Sequence, residues 1–310
     1  MNFFKATVRI RSPLATPLMA DTLWGHICWG IRWREGEAAL KLFIESYLEE
    51  PPLVLSNPFP AGFLPKPVLP AQITGGNGDL QKYQNVKPYK KLKYLPETWL
   101  LQNEAPVCEN SLQENWRREK IEHPRPKSRL RMGNGINRLS GTVEEGLLFN
   151  YPELWFEADS DLEIWIISRY SRERTRQLLE WALENGYGAD VSIGKGRVEL
   201  ADVSPITWPE KGNRYMALAH FAVPDRQFPS DLRADIFTKY GKVGHGLGLN
   251  RNPFKKPIML FKEGATFQAD SDRLFIGGLL KDVHSNPDIV QYAAAPLIPI
   301  QTEEAAHETV

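Results

Sequence analysis

The sequence predicts an α+β fold whose first half is a split β-α-β unit of the ferredoxin-like type. Apolar and polar residues alternate from Phe4 to Arg11, which is the two-residue period of a half-buried strand. The elements that follow, up to about residue 205, have the order β-α-β, insertion, β-β-α-loop-β. This order fits a ferredoxin-like unit that is interrupted after its second strand.

The helix after the first strand begins near Asp21 or Thr22, since either side chain is suited to capping. Leu23 and Ile27 lie on its apolar face. A second apolar stripe with helical spacing ends before Pro51, because proline cannot continue a helix. A short strand is predicted at 53–55.

Residues from about 59 to 141 have a different texture, with recurring prolines and a flexible Gly75-Gly76-Asn77-Gly78 joint. A structureless loop of this length is uncommon inside a compact domain unless it has a function. We interpret it as a functional, thumb-like insertion, part hairpin or short helix and part mobile arm.

Regular structure resumes after the insertion. Ser171 is placed to cap a helix that Gly186 and Gly188 close. The strands predicted around this helix lie at 147–149, 154–156, 162–167 and 197–203.

Residues 206–310 form a second predicted unit, separate from residues 1–205. Residues 215–223 resemble a strand, and 258–261, 265–268 and 274–277 resemble a small β meander. No helix is as strong as those of the first unit, so we expect a degenerate version of the same fold. The tail after Pro299 is polar and expected to fray.

Composition argues against several classes of protein. The chain has 310 residues with 38 basic and 38 acidic ones, so any anion site must be a local patch. Its two cysteines, Cys28 and Cys108, form no C-x-x-C pair, which argues against a zinc ribbon or a disulfide framework. No secretory signal and no membrane-spanning apolar run is evident. We therefore expect a soluble, cytoplasmic protein.

A glycine loop at residues 192–197 carries the most informative local pattern. Gly194 and Gly196 flank Lys195, and Arg197 follows, so open backbone amides and two cations could meet a phosphate chain. It is not a mononucleotide P-loop, which needs a different glycine spacing and a Ser or Thr after the Lys. A plain glycine turn with solvated charges is the alternative.

Three other segments combine cations with amides or aromatics. Such a mixture suits single-stranded nucleic acid, although a solvated charged loop is the alternative for each. The segments are the lysine-tyrosine stretch with Lys90, Lys91 and Lys93, the basic stretch with Arg129 and Arg131 that runs into Asn134, Asn137 and Arg138, and the stretch with Asn252, Lys255 and Lys256.

Catalytic constellations are poor. His26, with Asp21 five positions before it, could act as a general base in RNA cleavage, but a structural histidine is the stronger interpretation. No histidine spacing predicts a metal site. No cofactor is expected.

Several segments together resemble the RAMP subunits of type III-A CRISPR effectors that bind the 5′ handle of the CRISPR RNA, the fourth-named protein of the Csm complex. Type III-B and III-D counterparts share much of the pattern. The segments that carry the resemblance are 20–29, 52–60, 64–67, 134–140, 192–197 and 252–257.

The resemblance implies two RRM-like domains, no catalysis, and contact with the handle. It also implies docking to the large polymerase-like subunit and to the first backbone RAMP subunit. The insertion would lie near the target RNA, wedged against the first guide–target pair. The chain lacks the RNP1 motif of true RRMs, so RNA should contact loops. The residues proposed to contact RNA are Asp21, His26, Lys90, Lys91, Lys93, Arg129, Arg131, Asn134, Asn137, Arg138, Ser192, Ile193, Gly194, Lys195, Gly196, Arg197, Asn252, Lys255 and Lys256.

Overall fold

Two antiparallel sheets organise the chain, one in each half, and a long hairpin projects from the first half. The computed structural model describes residues 1–70, 88–102, 105–122, 126–157, 160–223, 227–244, 252–269 and 272–303, with the side chains of 144 and 145 excepted. The strands are β1 (Asn2–Ile10), β2 (Leu53–Leu55), β3 (Phe59–Pro60), β4 (Phe63–Pro65), β5 (Tyr94–Pro96), β6 (Lys127–Ile136), β7 (Val143–Trp155), β8 (Asp161–Ser168), β9 (Val198–Pro205), β10 (Arg214–Ala217), β11 (Ile236–Lys239), β12 (Ile258–Phe261), β13 (Thr266–Gln268), β14 (Phe275–Leu280) and β15 (Gln291–Ile300). The α-helices are α1 (Ala20–Glu35), α2 (Glu37–Glu45), α3 (Glu97–Leu101), α4 (Glu109–Glu119) and α5 (Arg172–Leu183).

The first sheet has the strand order β2-β8-β1-β9, and β3 also pairs with β8. Ala6 and Val8 of β1 are buried, as their alternation with polar residues predicts. Helices α1 and α5 pack closely at Gly30, where an added Cβ would lie 2.7 Å from the Cβ of Trp181. The predicted cap of α5 is confirmed, since the Ser171 side chain accepts a hydrogen bond from the Arg174 amide.

The start of α1 differs from the prediction. The helix begins at Ala20, so Asp21 and Thr22 lie inside its first turn, and the N-cap residue Met19 contributes no side-chain cap. The Ala20 amide instead donates to the Asn57 Oδ1 atom at 3.0 Å. An oxygen 37 positions away in sequence thus satisfies a helix-terminal donor, which local patterns do not reveal.

The described part of the insertion is largely packed, contrary to the expectation of an arm. Leu64, Leu95, Trp99 and Leu112, from β4, β5, α3 and α4, are buried in the main core. The Gly75–Gly78 joint lies outside the described residues. The projecting element is the hairpin of β6 and β7, which continues past residue 141. Residues 147–149 and most of 154–156 belong to this hairpin, not to the sheet.

The second sheet has the strand order β13-β10-β15-β14, while β11 and β12 form a separate pair. All ten residues of β15 are buried, although the sequence patterns did not predict this strand. Pro296 and Pro299 interrupt its donor ladder, and prolines argue against a central strand. The chain is still buried at Thr302, so the fraying predicted after Pro299 does not begin there.

The hydrophobic core runs through both halves. Tyr292 of β15 stacks on Trp24 of α1 with ring centroids 5.6 Å apart. The Tyr292 hydroxyl also accepts a hydrogen bond from the Leu55 amide at 2.9 Å. These contacts bring α1 and the edge of the first sheet against the second sheet.

Candidate nucleic-acid interface

The β6–β7 hairpin has one face that combines cations with aromatic rings. Residues directly opposite each other on an antiparallel pair share a face. Alternate positions therefore place Lys127, Arg129 and Arg131 of β6 beside Phe149, Tyr151, Glu153 and Trp155 of β7, and we call this set the basic-aromatic face. The Arg129 guanidinium lies 5.3 Å from the centre of the Trp155 ring.

Two of these aromatic rings pack over a glycine, whose lack of a side chain leaves room for them. Phe149 and Tyr151 meet edge to face with centroids 4.9 Å apart. A Cβ on Gly133 would lie 2.5 Å from the Tyr151 hydroxyl and 2.8 Å from Phe149, so the rings occupy the space above Gly133. Phe149 nevertheless keeps 41% of its surface exposed, which leaves a ring available for stacking.

The opposite face of the hairpin is apolar and exposed. Leu130 and Met132 are each 71% exposed, and Leu148 is 66% exposed. Contiguous exposed apolar side chains are uncommon on proteins that act alone, and they often mark interaction surfaces. The hairpin thus has two chemically different faces.

Glu153 joins the base of the hairpin to the glycine loop. Its carboxylate accepts a hydrogen bond from the Lys195 Nζ at 2.7 Å and another from the Trp155 Nε1 at 3.2 Å. The Arg131 guanidinium lies 3.7 Å from the same carboxylate. The hydrogen bond from Lys195 is the main cause that holds the pKa of Glu153 below its usual value. Lys195 is therefore committed to Glu153 and is not a free phosphate ligand in this structure.

The amides of the glycine loop are not open, contrary to the sequence-based expectation. A 3₁₀ turn at Val191–Ile193 folds the loop onto itself and onto the segment before α1. The Gly194 and Lys195 amides donate to the Val191 and Asp190 carbonyls at 3.0 and 3.2 Å. The amides of Gly196 and Arg197 donate to the Pro13 carbonyl and the Ser12 Oγ at 3.0 and 2.8 Å. What the loop presents to solvent is the side chains of Ser192, Ile193 and Arg197.

The two glycines of this loop have different roles. Gly194 has φ +84° and open space where a Cβ would be. Gly196 has φ +72° and is buried, and its Cβ would lie 2.0 Å from the Tyr187 carbonyl oxygen. Close approach at Gly196 is therefore to the protein's own backbone.

His26 and Asp21 are engaged in structural contacts. The His26 Nε2 accepts the Gly188 amide at 3.2 Å, and its ring stacks on Tyr187 at 5.2 Å. Asp21 accepts the Lys239 Nζ at 2.9 Å and the Gln291 Nε2 at 2.8 Å. His26 thus supports the segment that leads to the glycine loop, and Asp21 ties α1 to the second sheet.

The predicted amide segment lies at the tip of the hairpin. The side-chain oxygen of Asn137 accepts the amides of Leu139 and Ser140 at 2.9 and 3.3 Å, so it shapes the turn. Asn134 and Arg138 are exposed. Arg138 lies in the turn itself, whereas Asn134 is paired with Leu148 and lies on the apolar face of the hairpin.

The remaining predicted lysines lie elsewhere. Lys90, Lys91 and Lys93 are exposed and line a cleft against the second half of the chain. Lys255 turns inward, where its Nζ donates to the Val290 carbonyl at 2.7 Å, and burial lowers its pKa to about 8. Asn252 and Lys256 are exposed. The hairpin and the three lysines are therefore separate surfaces, not one wedge.

Sequence reasoning missed the aromatic half of the site. Phe149, Tyr151, Glu153 and Trp155 occupy every second position of β7. That two-residue period was the available signal, but residues 147–149 and 154–156 were interpreted as two strands of the sheet. Among the described residues no cluster of three or more metal-ligating side chains occurs, and no described helix is long and apolar enough to span a membrane.

Comparison with known proteins identifies the fold. No family model and no curated protein matches the sequence. The structure matches a chain of the Csm1–Csm4 cassette in complex with pppApA with a TM-score of 0.58 and 17% identity, covering 98% of this chain and 100% of that chain. It matches a chain of the Csm3–Csm4 subcomplex of the type III-A CRISPR-Cas interference complex with a TM-score of 0.56 and 15% identity, covering 97% and 99%. The resemblance found in the sequence is thus confirmed at the level of the fold.

Proposed function

We propose that this chain is the RAMP subunit of a type III-A CRISPR effector that binds the 5′ handle of the CRISPR RNA. The observation that carries the proposal is a likeness of fold over nearly the whole length of both chains, for two Csm assemblies. The order β2-β8-β1-β9 with α1 and α5 supports a ferredoxin-like first domain, residues 1–205, with residues 206–310 as a degenerate second domain.

The basic-aromatic face supports RNA as the ligand. Arg129 and Arg131 would pair with phosphates, while Phe149 and Tyr151 would stack on bases, the combination that holds single strands. Arg197 and Ser192 extend this surface beside the hairpin base. On this proposal the handle follows these side chains, and the hairpin tip with Asn134 and Arg138 lies where handle and target RNA meet.

The neighbours also suggest the partners. Their assemblies pair Csm4 with Csm1 and with Csm3. By analogy this chain would dock onto a large polymerase-like subunit and onto the first backbone subunit, in the cytoplasm, and the exposed apolar side chains of the hairpin suit such contacts. A protein–protein scaffold without RNA contact is the rival that RNA binding would exclude.

We further propose that the chain is not an enzyme. A ribonuclease that uses His26 as a base would need its Nε2 or Nδ1 directed at RNA. The Nε2 accepts a backbone amide, which favours a structural role. Purified protein should leave repeat RNA intact without metal, and metal-independent cleavage that disappears in His26→Ala would overturn this part.

Binding of single-stranded RNA that carries the 5′ handle of the host repeat tests the proposal. The full chain, alone and in the assembled complex, is titrated across a salt series. Arg129→Ala with Arg131→Ala should lower the slope of log affinity against log salt by roughly 0.7 per lost phosphate contact. Phe149→Ala with Tyr151→Ala should weaken binding by about 1–3 kcal/mol per unstacked base with the slope unchanged.

A matched control removes two arginines from the helical layer. Arg34 and Arg176 form exposed ion pairs with Glu184 and Glu180. Arg34→Ala with Arg176→Ala should bind RNA like the wild type. Equal binding by all variants, or no preference for the handle over a scrambled strand, would count against the function.

A further inference from the structure

A cleft of about 820 Å³ lies between the insertion and the second half of the chain. One wall comes from the segment after β4 and from the lysines before β5. The other wall comes from His220, from β11 and from the turn after β12. No residue of the β6–β7 hairpin lines it.

The cleft carries more positive than negative charge. Lys90, Lys91 and Lys93 project from one wall and Lys262 from the other. None of the ion pairs between described residues involves these four lysines. Of the three lining carboxylates, Glu109 forms an ion pair with Lys66 at 3.0 Å and Glu263 accepts a hydrogen bond from the His220 ring at 2.7 Å. Asp235 is the third. With Lys66 included, five lining lysines outnumber these carboxylates, so the cleft favours an anion.

An aromatic pair forms part of the second wall. The His220 ring lies against Phe237 with centroids 4.3 Å apart. The His220 Nε2 bonds to Glu263, and its Nδ1 lies 3.2 Å from the Asn57 Nδ2, so the ring is fixed. The two ring planes are tilted by 47°, and the Phe237 ring, fixed against His220 beside the lysines, gives a nucleotide base a surface on which to stack.

We propose that this cleft is a second RNA site, which holds a short single-stranded segment through its phosphates and one stacked base. Lys90, Lys91, Lys93 and Lys262 contact the phosphates, and the Phe237–His220 pair contacts the base. This inference rests on the proposed RNA-binding function and adds a site that is independent of the hairpin. Lysines suit it because each acts as a point charge on a flexible stem that can follow a mobile backbone.

Charge removal from each wall tests the site. The variants are Lys91→Ala with Lys93→Ala, and Lys262→Ala alone, in the full chain. The control is Lys41→Ala with Lys281→Ala, two exposed lysines outside the cleft and the hairpin. The probe is single-stranded handle RNA across a salt series, with thermal melting as a check of folding.

Each cleft variant should weaken RNA binding, the double one by about tenfold at low salt, and lower the salt slope by roughly 0.7 per lost contact. Phe237→Leu should weaken binding several-fold with the slope unchanged. The losses in binding free energy should add to those of Arg129→Ala and Arg131→Ala, because the two sites hold different parts of one strand.

The possible failures can be told apart. If the hairpin variants weaken RNA binding while every cleft variant behaves like the control, the cleft is not an RNA site and the proposed function stands. If the wild type binds no RNA, both proposals fail. A third outcome is that the wild type binds ATP, that Lys91→Ala with Lys93→Ala abolishes this ATP binding, and that RNA binding is unchanged. The cleft would then hold a free nucleotide, and the proposal would be overturned.

Discussion

Glu153 shows how one carboxylate can orient two basic segments that are distant in sequence. It lies in β7, has only 7% of its side chain exposed, and pairs with Lys195 of the glycine loop. Removing either partner would leave the other charge poorly solvated, which makes the pair a structural joint. Arg131, 55% exposed on the same carboxylate, keeps its outer surface available for a phosphate.

The two glycines of the loop give a matched pair of substitutions. Gly196→Ala should destabilise the protein by roughly 3 kcal/mol, because the methyl group would collide with the Tyr187 carbonyl in a left-handed conformation. Gly194→Ala should cost about 1 kcal/mol, since only the backbone conformation opposes it. Urea denaturation measures both. Equal destabilisation by the two substitutions would mean that the loop backbone at Gly196 can move away from the Tyr187 carbonyl.

At the scale of elements, the sequence predicted those whose pattern is local. β1 and the cap of α5 follow from alternation and from one serine. The prediction wrongly divided β7 into two strands, at 147–149 and 154–156. Only Leu154, near the base of the hairpin, also forms a bridge to Leu14 outside it. The hairpin continues beyond residue 141 because β7 pairs with β6 along their whole length, and the two-residue period of β7 was the local signal of this pairing. β15 was missed because its prolines argue against a strand that burial nevertheless stabilises.

The outer half of the hairpin should be dispensable for folding. Met132 and Asn150 are paired across it, so residues 133–149 can be replaced by an Asn-Gly turn. The free energy of unfolding should change by less than about 1 kcal/mol, because the removed residues are mostly exposed. Glu153→Ala, at the hairpin base, is the contrasting variant and should destabilise more. If the truncation lowers the free energy of unfolding as much as Glu153→Ala does, the outer half of the hairpin packs on the rest of the chain.

At the scale of the whole molecule, polar side chains join the two sheets where α1 begins. Asn57 links the Ala20 amide to His220 and Glu263, and Asp21 links α1 to β11 and β15. Sequence patterns did not predict these bonds, because each joins residues far apart in the chain. The continuous core and these bonds indicate that the two halves unfold together.

Two probes can test this cooperativity, since all nine tryptophans lie at or before residue 208. Tryptophan fluorescence therefore reports mainly the first half, although Trp24 and Trp208 also contact β15. Hydrogen exchange of β15 reports the second half. Both should change at the same urea concentration. Asp21→Asn should shift both transitions down together, by up to about 3 kcal/mol, because it leaves the Lys239 charge unpaired at a site where only 16% of its side chain is exposed. Asp272→Asn, at an exposed position, should shift neither. Separate transitions in the wild type would mean that the halves are independent domains and that the Asp21 contacts only position them.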